Sequence, residues 1–126
     1  MGDRANIVIL DDFGSGGEVW LYGHWSGERY EDDLRRALAK RWRWGDPSYL
    51  ARIVFEEMIK GNEGTENSFG ISTSMGDNEH LILTVDCDKK EVRWDYEPKD
   101  GQKRETKKRQ SFEEFVATTV LEGGTA

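Results

Sequence analysis

Apolar and polar residues change their period several times along the chain, and each change predicts an element. Ala5 to Leu10 is a short, β-branched apolar run, the pattern of a buried strand, and Glu18 to Tyr22 alternates as a second one. The Gly-rich stretch Asp11 to Gly17 between them predicts an N-terminal β-hairpin. From Tyr30 the apolar residues fall at Tyr30, Leu34, Ala37, Leu38 and Trp42, a helical spacing with one inward face. Glu31, Asp32 and Asp33 suit the positive end of its dipole, and the helix is expected to run to Arg43. Gly45 stops it. Asp46 and Pro47 supply an N-cap acceptor and a first-turn proline for a second helix, whose inward face is Leu50, Ile53, Val54 and Met58. Gly61 suits its left-handed C-terminal cap, and Gly61 to Asn67 reads as a mobile surface loop.

Phe69, Ile71 and Thr73 alternate with small polar residues, and turn residues from Met75 to Glu79 lead into Leu81 to Asp86, a strand apolar on both faces. A tight turn follows, then Glu91 to Tyr96, with Val92, Trp94 and Tyr96 on one face and Glu91, Arg93 and Asp95 on the other. These three strands are expected to form a meander. Ser111 and Glu114 make a capping box for a last helix with Phe112, Phe115, Val116 and Val120 on its apolar face, ending at Gly123. The order ββααβββα predicts an α+β fold: a mostly antiparallel five-stranded sheet with helices packed on one face.

At 126 residues and 36% hydrophobic, with five Trp, the chain has the size and apolar content of one domain spanning 1–126. No apolar run approaches the roughly 20 residues that cross a bilayer, and no secretory or lipid-anchor signal is visible, so a cytoplasmic location is expected. The single Cys87 has no disulfide partner in the chain, which suits a reducing compartment. Asp86 and Asp88 flank it and oppose its ionisation, which makes it a poor nucleophile.

The net charge of −7 argues against generic nucleic-acid binding. Charge is unevenly spread: residues 97–110, expected as a flexible basic loop, carry six positive and three negative residues, a net of +3 that leaves −10 elsewhere. The cations from Lys103 to Arg109 could meet phosphates or an acidic partner, although such runs are commonly just solvated.

Three segments could bear a site. Asp3, Arg4 and Asn6 crowd the start of an otherwise apolar strand, with Arg4 the best single anion-binding candidate; an Asp3–Arg4 ion pair tidying the terminus is the competing reading. Tyr22, His24 and Trp25 lie at a strand end beside Gly23 and Gly27, a binding-loop composition that also fits a loop packed on the sheet edge. Asp77, Asn78 and Glu79 close the turn STSMGDNE, which lacks both the Walker lysine pattern and calcium-loop spacing. His80 stands alone near Asp77 and Glu79, so neither zinc nor any cofactor is expected. Arg41, Trp42, Arg43 and Trp44 mix aromatic and cationic side chains that can stack on bases, but a wedge between the two helices is the expected role. No serine stands in a nucleophile elbow, and the sequence designates no catalytic residue.

Read in order, MGDRANI (Met1 to Ile7), LYGHWSG (Leu21 to Gly27), GDPSYLARIVFEEM (Gly45 to Met58) and GISTSMGDNEHLILTVD (Gly70 to Asp86) resemble a family of small uncharacterised proteins of bacteriophages and bacterial genomes. The likeness covers about two thirds of the chain and is weaker in the basic segment and the last helix. It implies phage or mobile-element ancestry, a host-cytoplasmic setting and a counter-defence role. The expected function is non-enzymatic binding that sequesters an anionic, nucleotide-like small molecule through Asp3, Arg4, Asn6, Tyr22, His24, Trp25, Asp77, Asn78 and Glu79. Two alternatives stand beside it: an acidic module that binds and inhibits a host protein, and an enzyme with His24 as general base. An exposed sheet edge would also permit a homodimer.

Overall fold

The computed structural model describes residues 2–11, 16–99 and 102–118. Its elements are β1 (Ala5–Asp11), β2 (Gly17–Gly23), α1 (Tyr30–Ala39), α2 (Pro47–Ile59), β3 (Phe69–Ser72), β4 (Ile82–Asp86), β5 (Glu91–Asp95), β6 (Thr106–Ser111) and α3 (Phe112–Ala117). The fold is α+β with a ββααββββα order and a mixed six-stranded sheet, β3-β2-β1-β4-β5-β6. β1 and β4 are parallel, and the other four pairings are antiparallel.

Two expectations are corrected. The sheet has six strands, because Thr106–Ser111, inside the segment expected as a flexible loop, pairs antiparallel with β5. Its cations have work to do there: the Lys108 Nζ lies 4.3 Å from the centre of the Trp94 ring, and Arg109 lies 3.4 Å from Glu91. Long basic side chains cover apolar surface with their stems, and charge on an edge strand discourages pairing with other chains. The meander is β4-β5-β6 rather than β3-β4-β5. β3 pairs with the outer side of β2, Leu21 opposite Ile71, and the chain then crosses β2 and β1 to reach β4.

Local signals account for the helices. Asp46 accepts from the Tyr49 amide with Pro47 in the first turn, and Ser111 and Glu114 form a reciprocal capping box. Gly61 takes a φ of 84° just past α2, which is the left-handed stop expected there. α1 ends at Ala39 and not at Arg43, because Arg41 turns to a φ of 62° and its amide bonds back to the Leu38 carbonyl. Trp42 consequently leaves the inward face and is 58% exposed. The expected ends of the last helix, Val120 and Gly123, lie outside the described residues, as do residues 12–15 of the Gly-rich stretch and residues 100–101 of the basic segment.

The helices pack against the sheet. Leu34, Leu38, Leu50, Val54, Met58, Phe112 and Phe115 join Ile7, Ile9, Leu21, Leu83, Val85, Val92 and Trp94 in one buried cluster. Strand alternation sends the neighbours of those strand residues to the second face, where Val8, Trp20 and Ile82 are buried with Leu10 and Met75 against them, and no described helix residue takes part. Two irregular segments cover that second face: the crossing loop 73–81, which brings Met75, and the β5–β6 connection, which brings Arg104 over the Trp20 ring at 5.2 Å.

Candidate functional site

The start of β1, the end of β2 and the crossing loop meet at one end of the sheet, and all nine expected residues gather there. Asn6 points to the second face, opposite Tyr22 in register. It is fully buried: its Nδ2 donates to the Asp77 carbonyl at 2.9 Å and to Asn78 Oδ1 at 3.2 Å, while its Oδ1 accepts from the Gly76 amide at 3.1 Å. An amide satisfied in this way is a pin for the loop rather than a free ligand contact. Arg4 clamps the far side, its amide donating to Glu79 Oε1 at 2.8 Å and its carbonyl accepting from the Glu79 amide at 3.0 Å.

The backbone clamp leaves the Arg4 guanidinium beside the Tyr22 hydroxyl, and its Nε is buried without a hydrogen-bond partner. Burial pushes the Tyr22 phenol up; Arg4 opposes the shift, and Asp77 and Glu79 add to it. Tyr22 stays a neutral phenol at neutral pH, and its hydroxyl lies 2.9 Å from His24 Nδ1. His24 meets the Trp25 ring edge-on at 4.7 Å, and Trp25 is 57% exposed. Gly2 is required beside this imidazole, since a Cβ there would lie 2.7 Å from His24 Nε2.

Two cavities open at this end of the sheet. One, of about 510 Å³, is lined by Arg4, Met75, Gly76, Asp77, Asn78 and Glu97, between the crossing loop and the β5–β6 connection. The other, of about 350 Å³, is lined by Tyr22, His24, Trp25, Asn67 and Ser68. Asn78 spans two elements by donating to the His80 carbonyl at 2.6 Å and to Glu97 at 3.3 Å. The Asp3 carboxylate pairs not with Arg4 but with His80, whose Nε2 lies 2.5 Å away. His80 therefore does not stand alone, as the sequence suggested. Gly27 makes the pair possible, because a Cβ at that position would sit 2.0 Å from His80 Nε2 and 2.2 Å from Asp3 Oδ1.

No family model matches the chain, and no curated protein or solved structure matches it either. The chemistry of the site therefore stands on its geometry.

Among the described residues no group of three or more His, Cys, Asp or Glu side chains is arranged to hold a metal ion, and no helix is long and apolar enough to cross a membrane. Burial pushes the Cys87 thiol up to about 12, with Asp86 adding to the effect, so it stays a thiol.

Sequence reasoning missed a second polar group on the same face. Asp95 is 2% exposed and accepts from Thr84 Oγ1 and Thr106 Oγ1, each at 2.6 Å, with Arg104 Nε 3.6 Å away. Arg104 also reaches Glu18 at 3.1 Å. Arg93 pairs with Asp86 at 3.1 Å and Glu91 at 2.8 Å. A cavity of about 290 Å³ runs between Glu18, Arg93, Asp95 and Arg104. The alternation of Glu91, Arg93 and Asp95 on β5 was the available signal, but it reads as a solvated face unless the covering segment is known.

Proposed function

We propose that the chain is a non-enzymatic binding protein that takes an anionic, nucleotide-like small molecule at the end of the sheet around Arg4, Tyr22, His24 and Trp25. The carrying observation is Arg4: the residue lines the 510 Å³ cavity, and its Nε is buried with no hydrogen-bond partner. A buried donor left unpaired is costly, and an anionic oxygen is the partner that recovers most. The exposed Trp25 ring and the neighbouring His24 offer a planar group a stacking surface. Asp77 and Glu97 on the same rim as Arg4 oppose a second negative charge, so a monoanion of phosphodiester type that also carries hydrogen-bond donors fits better than a multiply charged phosphate. On this reading the protein holds its ligand out of circulation, the counter-defence role that the resemblance to phage proteins implies.

Calorimetric titration with adenosine and uridine 5′-monophosphates and with a dinucleoside phosphodiester tests the reading. Binding of the phosphodiester is expected, weaker by tenfold or more in Arg4→Ala and in Trp25→Ala, with both variants melting close to the parent. Silence from all three compounds, or losses that merely follow lowered melting temperatures, would overturn it.

A second reading, an acidic module for a host protein, draws on one observation. Gly61 to His80 carries Glu63, Glu66, Asp77 and Glu79 and no Lys or Arg, and includes the edge strand β3 with Ile71 61% exposed. Ile71→Lys would abolish partner capture on this reading and leave phosphodiester binding unchanged.

A further inference from the structure

The opposite end of the molecule carries a second set of aromatic and cationic side chains that the site above does not use. Among the described residues four that are not glycine have a left-handed backbone: Arg41, Arg43, Ser68 and Lys90, with φ of 62°, 57°, 88° and 54°. Three of these four are cations, and they lie together. Arg41 and Arg43 flank Trp42 in the α1–α2 connection, and the Lys90 Nζ lies 3.7 Å from where a side chain on Gly45 would begin. L-residues adopt this conformation at a cost, and a protein keeps it where surrounding structure or function demands it.

The two tryptophans of the connection have separate fates. Trp44 is the expected wedge: its Nε1 donates to the Leu38 carbonyl at 2.9 Å and its ring meets Phe112 edge-on at 5.2 Å. Trp42 is held outward at 58% exposure, with the Lys40 Nζ 5.1 Å from its ring centre, and Tyr49 is 46% exposed beneath the Arg43 guanidinium at 4.3 Å. The acidic neighbours are Glu57 at 3.0 Å from Lys40, Glu113 at 2.8 Å from Arg41 and Asp46 at 3.7 Å from Arg43. The Arg41 and Arg43 pairs are exposed, contribute little, and can be exchanged for other anions.

We propose that this end binds single-stranded nucleic acid, with a base stacked on Trp42 and phosphates held by Arg41, Arg43 and Lys90. Rings interleaved with cations form no contiguous apolar patch, which disfavours a protein interface core and matches the stacking platform with cationic track that single strands use. The chain's charge of −7 repels the strand over the rest of the surface, so the cationic α1–α2 connection leads the approach.

The test is fluorescence anisotropy of a labelled 20-mer of thymidylate at about 50 mM salt, with its salt dependence. Three phosphate contacts predict a slope of log K against log salt near −2, from about 0.7 per contact on single strands. Trp42→Ala is expected to weaken binding about ten- to a hundredfold, since the ring is exposed and carries the stacking. Arg41→Gly with Arg43→Gly relieves the left-handed backbone, so the melting temperature holds or rises while the slope falls by about 1.4. No binding by the parent protein, equal binding by Trp42→Ala, or equal affinity for polyglutamate would each overturn the proposal.

Discussion

The two faces of the sheet reach burial by different means. On the helix side, long apolar residues from α1, α2 and α3 close over Ile7, Ile9, Leu21, Leu83 and Val85, so the hydrophobic effect supplies the stability. On the second face, among the described residues, only Val8, Trp20 and Ile82 form a buried apolar cluster, and the cover is two irregular segments held by polar side chains: Asn6 pins the crossing loop, and Asp95 holds Thr84, Thr106 and Arg104. A face built from hydrogen bonds leaves cavities and directional groups, while a face built from apolar packing fills its space. The proposed ligand site therefore adjoins the second face, where donors and acceptors are fixed in place by partners that cost energy to lose.

Mutation separates the two mechanisms. Phe115→Ala, fully buried on the helix side, is expected to cost about 4 kcal/mol through lost transfer energy and the cavity left behind, measured by denaturant unfolding. Asp95→Ala is expected to cost about 3 kcal/mol, because it strands two buried threonine hydroxyls and leaves Arg104 with Glu18 as its one carboxylate partner. Asp95→Asn, which keeps acceptor capacity, should cost less. If Asp95→Ala were neutral, the polar network would be ornamental and the contrast between the faces would fail.

The apolar face was legible in the sequence because its information is periodic and local. Leu34, Ala37 and Leu38 announce α1, Asp46 and Pro47 announce α2, and Ser111 with Glu114 announces α3. The second face was illegible where its information is long-range. Asp3 meets His80 across 77 positions, and Arg104 meets Glu18 across 86. β6, reading TKKRQS, has the composition of a solvated loop and becomes a strand only because Asp95 and Trp94 receive Thr106 and Lys108. The nine candidate site residues could be chosen from strand ends and turns, but the division of labour among them could not: Asn6 is a pin, and Arg4 presents a guanidinium.

Among the described residues three charged side chains are buried on α1 and α2, Asp33, Arg35 and Glu57, and Asp33 is the one whose charge burial opposes most. Burial pushes the Asp33 carboxyl up to about 6, against the pull of Arg29 and Arg36, and Glu57 adds to the rise. A carboxyl whose folded pKa lies above its unfolded value near 3.8 contributes stability that is fully present below that value and is lost as pH rises through about 6. The expected change across that window is about 3 kcal/mol, the free-energy equivalent of a rise from 3.8 to about 6. Melting curves of the parent and of Asp33→Asn between pH 4 and pH 7 check it: the variant should lack this component. The smallest effect is expected at the α3 cap, where Ser111→Ala should cost about 1 kcal/mol through the lost bond to the Glu114 amide.

The most direct test of the central claim, that the end of the sheet around Arg4 holds a small anionic ligand, is to expose the purified protein to a cellular metabolite extract. Unbound material is removed, the protein is denatured, and what it releases is identified by mass spectrometry. The account predicts a released monoanionic, nucleotide-like compound that is missing from an Arg4→Ala control of equal stability. A native protein that releases nothing, or a compound retained in full by Arg4→Ala, would contradict it.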